Sequence, residues 1–261
     1  DSFAFKALAI AASSYDALLI ISNSVRVAFD NNSFSGSDVP IIHIRVEEGS
    51  INKMASNLPT SAKEKYYKAE LLYPDGVWRK IKYRFRGRGI THWDPIKPSL
   101  RLKLPKENPL NQLRHINLIN PEDRAMISNY FGEYLGNKIG VMTHNTDFTR
   151  LFINEKFVGL YHLSTREDEE MIRVNNRIPG PLFSGNNLSQ VWKSTEFKIT
   201  GDQEILSEIN LMELLVEAIN LEELDEQHKQ LWSILSMDKY ARFNALLSLV
   251  GGIHTDYTHN H

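Results

Sequence analysis

The hydrophobic pattern of this chain changes its period near residue 203. KYYKAELLYPDGVWRKIKYRFRG and SLRLKL alternate apolar and polar residues, whereas EILSEINLMELLVEAI and the segments after it repeat apolar residues at helical spacing. Alternation is typical of strands with one buried face, and the longer spacing is typical of amphipathic helices. Strands followed by helices along a chain are characteristic of α+β folds. The sequence therefore predicts an α+β fold with a β-rich N-terminal lobe and a helical C-terminal lobe.

Three segments are predicted along the 261 residues. Residues 1–39 are an N-terminal extension whose apolar stretch carries Lys6 and Asp16. Two charges argue against a simple membrane-spanning helix, so a packed segment is predicted, with a signal or anchor remnant as the alternative. Residues 40–200 are predicted to form the β-rich lobe and residues 201–261 the helical lobe.

Turn residues and apolar periodicity place the elements within these lobes. Two hairpins are predicted to turn at Pro74-Asp75-Gly76 and at Asn154-Glu155-Lys156. Between the hairpins, AMISNYFGEYLGNKIG predicts a helix that ends at Gly140. EDEEMIRVNN, after the second hairpin, predicts a short helix.

Positive charge is concentrated between Arg79 and Lys106, where ten lysines and arginines accompany a single acidic residue, Asp94. Residues 202–226 hold nine acidic residues and no lysine or arginine. The acidic run is typical of a solvated helix face. The basic charges instead alternate along strands, which predicts a sheet with one apolar and one basic face.

The basic stretch includes a glycine turn, RGRG, whose backbone and guanidinium groups are suited to binding an anion. Gly87 and Gly89 permit positive φ and close approach of the backbone to a ligand. Arg86 and Arg88 present planar guanidinium groups suited to phosphate oxygens. Lys97 lies at the edge of the next strand, where a lysine is rarely a packing residue, and it is a point charge for a di- or triphosphate. The alternative is a solvated basic sheet face.

The segment LLSLVGGIHTDYTHNH is a second candidate site. Asp256 precedes Asn260 by four residues. Such a pair could accept a proton from a hydroxyl group and hold Mg²⁺ through its side-chain oxygen atoms. The histidines nearby, His254, His259 and His261, suit Zn²⁺ instead, or the segment is a polar tail. The chain has no cysteine, which excludes thiolate ligands and nucleophiles.

Four blocks of the sequence together resemble the CotH kinase family, the relatives of spore-coat protein H. They are, in family order, RFRGRGITHWDPIKPSLRLKL, HINLINPEDRAMISNYFGEYLGNKIG, RLFINEKFVGLYHLSTREDEEMI and FNALLSLVGGIHTDYTHNH. The resemblance covers roughly residues 40–261. It implies a kinase-like fold that binds ATP and Mg²⁺ between a β-rich nucleotide-binding lobe and a helical lobe.

The resemblance also implies what such a protein acts on. It implies an atypical protein kinase that transfers the γ-phosphate of ATP to serine or threonine of coat or secreted proteins. Its partners would be a nucleotide and a protein substrate, with no specific nucleic acid. The spore coat, the extracellular space or the cell envelope is the implied location, rather than the cytoplasm.

The family pattern implies roles for individual residues. The implied nucleotide-binding residues are Arg86, Arg88, Gly89 and Lys97. Within that set, the arginine-glycine turn would contact the phosphates and Lys97 would hold the α- and β-phosphates. Asp256 would be the catalytic aspartate and a metal ligand, and Asn260 a further metal ligand.

The sequence departs from the family pattern at three places. The acidic residue expected after the second hairpin aligns with Thr165, with Glu167 and Asp168 close behind. Glu167 is taken as the candidate partner of Lys97 and as a further nucleotide-binding residue. Ser128 stands where an arginine is common in the family. The sequence ends at His261, before the strand and metal-binding aspartate that follow in the family, which predicts an incomplete metal site and weak transfer activity.

Two other functions fit the same residues. One is a non-catalytic module whose basic sheet face binds a polyanion or an acidic protein. Aromatic residues are interleaved with its charges, as in single-strand binders, although aromatics on alternating strands also form cores; they are Trp78, Tyr83, Phe85 and Trp93. The other is a metal-dependent hydrolase that uses His254, Asp256 and His259.

Overall fold

A computed structural model describes residues 39–63, 65–87, 92–94, 96–121, 127–178, 180, 182–184, 198–200 and 206–250. The strands in these ranges are β1 (Ile41–Val46), β2 (Tyr67–Leu72), β3 (Trp78–Phe85), β4 (Leu100–Lys103), β5 (His115–Ile119), β6 (Thr146–Ile153), β7 (Lys156–Thr165), β8 (Leu182–Ser184) and β9 (Lys198–Thr200). The helices are α1 (Ser50–Ala55), α2 (Thr60–Lys63), α3 (Ser128–Lys138), α4 (Glu169–Val174), α5 (Leu206–Ile219), α6 (Leu224–Ile234) and α7 (Met237–Val250).

Seven of the strands close into a barrel in the order β1-β2-β3-β4-β5-β7-β6. The chain runs antiparallel from β1 through β5, and β6 and β7 form an antiparallel hairpin. β1 and β6 pair in parallel, with Ile41 opposite Arg150 and Ile44 opposite Ile153. The barrel is therefore mixed, and this parallel pair joins the start of the described chain to a strand more than a hundred residues later.

The predicted kinase-like fold with a β-rich and a helical lobe is wrong. The structure is instead a β-rich fold built on the closed seven-stranded mixed barrel, accompanied among the described residues by seven short helices. Periodicity reports which residues share one face of a strand, but not which distant strand lies beside it. Barrel closure depends on such a distant pairing, and it leaves no open sheet edge in this set of strands.

The predicted alternation of apolar and basic residues is confirmed on the central strands. On β3, Ile81, Tyr83 and Phe85 are buried, whereas Lys80 and Lys82 are exposed. Leu100 and Leu102 of β4 are likewise fully buried. Because alternate side chains point to opposite faces of a strand, the barrel interior is apolar and its outer surface here is basic.

Helix α1 is tied to the barrel by a buried hydrogen bond between the hydroxyl groups of Ser50 and Tyr83, with 2.6 Å between the oxygens. Burial raises the pKa of the Tyr83 phenol, and the hydrogen bond with Ser50 partly opposes this shift. A buried hydroxyl costs free energy unless it is hydrogen-bonded, so Ser50 satisfies the phenol that Tyr83 brings into the core.

The β2–β3 hairpin turns where it was predicted to. Gly76 has a φ of 78°, which favours glycine. The Asp75 carboxylate accepts hydrogen bonds from the Val77 amide at 3.1 Å and from both terminal nitrogens of Arg79 at 2.8 and 2.6 Å. These bonds, those of Arg79 first, lower the pKa of Asp75 from 3.8 to about 2.

The lowered pKa predicts a pH dependence for this turn. The ionised form is favoured in the folded state, so its stabilisation is present above pH 3.8 and is lost as the pH falls through about 2. Asp75→Asn removes this titration. We expect the wild-type melting temperature to fall more than that of the variant between about pH 5 and about pH 2. Equal falls in the two proteins would contradict the assignment.

The described residues divide into two compact units. The first contains the barrel, with residues up to 121 and Thr146–Ser164, and the second contains Ile127–Asn145 and the described residues from Thr165 onward. Within the second unit, α3 packs against α7 and α5 packs against α6. The predicted boundaries after residues 39 and 200 stay predictions.

The predicted helices of the second unit are confirmed. Helix α3 is followed by Gly140 with a φ of 77°, and α4 lies within EDEEMIRVNN. The three helices expected beyond residue 203 are α5, α6 and α7. Among the residues that the structure describes, no helix has both the length and the apolarity needed to cross a membrane.

Candidate functional site

The loop that joins β3 to β4 carries the first group of candidate residues, and its ends are held together. The Arg86 amide donates to the Ser99 carbonyl at 2.8 Å, directly beyond the last β3–β4 pair, and the Ser99 amide donates to the His92 carbonyl at 2.9 Å. These two hydrogen bonds close the loop, so Arg86 at its start and Lys97 near its end belong to one connected backbone unit.

Gly87 is required by the shape of this loop. Its φ is 93°, and a Cβ built there would lie 2.3 Å from Cδ2 of His92. Residues with a side chain rarely adopt this φ, and none would fit beneath the imidazole. The positive φ expected at Gly87 is confirmed, but the group that approaches its backbone is the side chain of His92, and the predicted approach of a ligand stays a prediction. Arg88 and Gly89 lie outside the described residues.

Asp94, the single acidic residue of the basic stretch, shapes the backbone before Lys97. Its carboxylate accepts hydrogen bonds from the amides of Ile96 at 2.8 Å and Lys97 at 3.4 Å. Aspartate commonly forms such turns with amides two or three residues later. This turn sets the direction in which the chain presents Lys97.

Lys97 is buried, with 3% of its surface exposed. The prediction that it is not a packing residue is therefore wrong. Its ammonium lies 5.8 Å from the centre of the Tyr161 ring, and the Tyr161 hydroxyl donates to the Pro98 carbonyl at 3.1 Å. Burying an ammonium group is costly unless its surroundings compensate the charge, so a lysine held in this way needs a specific environment.

Gly159 on β7 makes room for Lys97. A Cβ at Gly159 would lie 2.8 Å from Cε of Lys97 and 3.2 Å from its Nζ, and Gly159 has a φ of 144°. The register of β6 and β7 shifts at this point, between Leu151 and Phe152. A glycine at a β-bulge is a usual site for close approach of another group, and here that group is the lysine side chain.

A cavity of about 460 Å³ borders the same two segments of the barrel unit. Ile96 and Pro98, on either side of Lys97 in sequence, line it together with Val158, which precedes Gly159. Other parts of its wall come from the β1–α1 connection, including Glu47, and from α1, including Asn52. Its size is within the range of small-molecule sites, and its wall mixes apolar and polar side chains as such sites do.

Glu167, the predicted partner of Lys97, lies in the second unit and is exposed. Its carboxylate lies 3.9 Å from Nε2 of His144, whose Nδ1 is 3.2 Å from the Thr165 hydroxyl. Nearby, Asp168 caps helix α4 by accepting from the Glu170 amide at 2.9 Å. Pairing of Glu167 with Lys97 stays a prediction.

The residues of the second candidate site lie outside the described residues. These are His254, Asp256, His259, Asn260 and His261. Their predicted roles as catalytic base, Mg²⁺ ligands or Zn²⁺ ligands stay predictions.

Sequence reasoning missed Gly159 and His92. An isolated glycine within an alternating strand indicates a bulge or a close approach, so VGLY carried a usable signal for Gly159. No local signal indicates that His92 packs on Gly87, because that contact depends on how the loop folds back on itself.

Comparison with known proteins identifies the family of this chain. Curated proteins show no match to this chain. The family model described as CotH kinase protein matches residues 83–261, which contain the loop with Arg86 and Lys97 and the bulge at Gly159. The match spans well over half of the sequence. The resemblance identified from four sequence blocks is thereby confirmed, and the chain belongs to the CotH kinase family.

Proposed function

We propose that this chain is an ATP-dependent atypical protein kinase that phosphorylates serine or threonine residues of coat or secreted proteins. The observation that carries the proposal is the burial of Lys97 against Gly159, at the end of the loop that begins with Arg86. Membership in the CotH kinase family supports the same assignment. The proposed location, at a coat or cell envelope, follows from the family alone.

The burial of Lys97 distinguishes this proposal from a basic face that is merely solvated. Solvated lysines leave their ammonium groups in water because desolvation is costly. Lys97 instead occupies a space that exists only because residue 159 lacks a side chain. Such a specifically placed ammonium group does not fit a basic face that is merely solvated.

The donor groups fit a polyphosphate. Arg86 offers a planar guanidinium with several N–H donors, and Lys97 offers a compact positive charge. In phosphoryl transfer a protein acts chiefly by positioning the phosphates and stabilising their charge, and these two side chains suit that task. ATP would supply the transferred phosphoryl group.

The remaining roles rest on the family pattern. Asp256 is proposed as the base that accepts the proton of the substrate hydroxyl group. Asn260, with Asp256, is proposed as a Mg²⁺ ligand. Oxygen ligands of this kind are those that Mg²⁺ prefers.

A transfer assay with labelled ATP and Mg²⁺ tests the proposal. Casein serves as a generic acceptor, and autophosphorylation is followed by mass spectrometry. Lys97→Met retains the length of the side chain without its charge, and we expect it to reduce transfer by about 100-fold or more. Lys53→Met, at an exposed position of α1, is the matched control and should transfer at the wild-type rate.

Arg86→Gln, a change at a half-buried position, is a second variant in case Lys97→Met fails to fold. We expect it to reduce transfer by about tenfold or more, because a guanidinium is a strong phosphate donor. Melting temperatures confirm that each variant is folded. Wild-type rates in both folded variants would remove this loop from the site and overturn the proposal.

A further inference from the structure

A groove of about 740 Å³ crosses the outer surface of the barrel unit; Lys97 does not line it, although the groove shares Val46 and Glu47 with the cavity of about 460 Å³. Side chains of β1, β2, β3 and β4, of Glu47 just beyond β1 and of the β4–β5 connection line it. Its basic lining residues are Arg45, Lys68, Lys80, Lys82, Lys103 and Arg114, against two carboxylates, Glu47 and Glu70. The groove therefore carries a clear excess of positive charge.

Three of these lysines form a row across adjacent strands. Lys82 on β3 lies directly opposite Lys68 on β2 and, on its other side, directly opposite Lys103 on β4. Neighbouring strands are only about 4.8 Å apart, and like charges that face each other across strands are destabilising. Among the described residues, no ion pair involves Lys68, Lys80 or Lys82. A bound anion would relieve this repulsion.

The sides of the groove are held in position by contacts within the barrel unit. The Arg45 guanidinium stacks on the Trp78 ring at 3.9 Å and pairs with Glu155 at 3.3 Å. The Lys103 ammonium lies 5.6 Å from the centre of the Tyr66 ring. Side chains that are already ordered lose less entropy when a ligand binds.

The floor of the groove indicates what kind of anion fits. Among the apolar lining residues, Ile81 and Leu104 are buried, so the accessible apolar part of the groove comes from Val46 and Pro105, which are half-buried. None of the described residues that line the groove is aromatic, so it lacks the surfaces on which bases of single-stranded nucleic acids stack. A polypeptide that mixes acidic and apolar side chains complements this surface best.

We infer that this groove is a docking site for an acidic segment of a partner protein. Carboxylates of the partner would face the row Lys68–Lys82–Lys103, and its apolar side chains would cover Val46 and Pro105. The inference uses neither Lys97 nor ATP. It therefore holds whether or not the chain transfers phosphate.

The test measures binding of a fluorescein-labelled peptide, EELDEELDEE, to the full chain by fluorescence anisotropy. In the groove variant, Lys68→Gln, Lys82→Gln and Lys103→Gln are combined. The control variant combines Lys53→Gln, Lys63→Gln and Lys239→Gln, which remove the same charge from exposed positions outside the groove. We expect the groove variant to bind about tenfold more weakly and the control variant to bind within about twofold of the wild type.

Two further measurements complete the supporting result. A peptide with glutamine and asparagine in place of its acidic residues should not bind. Lys97→Met should bind EELDEELDEE as the wild type does, so a failed kinase proposal leaves this result intact. Unchanged affinity in the groove variant would overturn the inference, and so would an equal loss in the control variant, because the attraction would then be non-specific.

Competing occupants are tested with the same variants. A single-stranded oligonucleotide or phosphatidylserine vesicles that bind more tightly than the peptide, and lose binding in the groove variant, would overturn the choice of an acidic protein. Self-association in sedimentation that disappears only in the groove variant would assign the groove to a second copy of this chain and likewise overturn it.

Discussion

Replacing Gly159 by alanine is expected to reduce ATP affinity by about tenfold and to lower the free energy of unfolding by about 1 to 3 kcal/mol. The added Cβ would lie 2.8 Å from Cε of Lys97, and a φ of 144° is one that L-residues rarely adopt. Lys97 is buried, so its side chain has little room to move away. Calorimetric titration with an ATP analogue and denaturant unfolding measure the two effects.

A double-mutant cycle separates the contact from the backbone strain. If contact with Lys97 contributes, the cost of Gly159→Ala should be smaller by about 1 kcal/mol when Lys97 is also replaced by alanine. Gly180→Ala is the control, because no atom lies within 4 Å of its added Cβ, and its effect should stay within about 0.5 kcal/mol. Unchanged ATP affinity in Gly159→Ala, with measurable wild-type binding, would show that Gly159 does not position the lysine.

Two glycines one turn apart on α3 are expected to respond in opposite directions to the same change. Gly136 is buried, and a Cβ there would lie 2.6 Å from Cγ2 of Thr143 and 2.9 Å from Cδ2 of Leu246 on α7. Gly136→Ala should therefore lower the free energy of unfolding by about 1 to 3 kcal/mol through overpacking. At Gly132 the nearest atoms, in Val250, are 3.8 Å away. Gly132→Ala should raise stability by up to about 1 kcal/mol, because alanine is the better helix former.

Denaturant midpoints of the two alanine variants and the wild type test this pair. The helix propensity gain is common to both positions, so the difference between the variants isolates the packing of α3 on α7. If Gly136→Ala were as stable as Gly132→Ala, the close packing of α3 against Leu246 would be contradicted.

The candidate site was predictable where its chemistry is local. Arginine, glycine and lysine residues within one short loop are of types suited to phosphate, so Arg86 and Lys97 could be named as candidates from the sequence, and phosphate binding itself stays a proposal. The four sequence blocks that resemble the CotH kinase family extended the candidate residues to Asp256 and Asn260. The match of the family model over residues 83–261 supports membership in the family but does not test the roles of individual residues. The burial of Lys97 was not predictable, because the space for it is made by Gly159 on a distant strand.

By itself the sequence determined the two hairpins, the helices from α3 onward and the alternating faces of β3 and β4. These features depend on turn residues and on spacing within a few positions, and a hairpin such as β2–β3 pairs neighbours along the chain. The tertiary structure alone decided that β1 lies beside β6, which closes the barrel, and that Lys97 packs on the bulge of β7. Both depend on contacts between residues far apart in the chain. Their free energy comes from complementary surfaces that meet only after folding, which no local period of the sequence records.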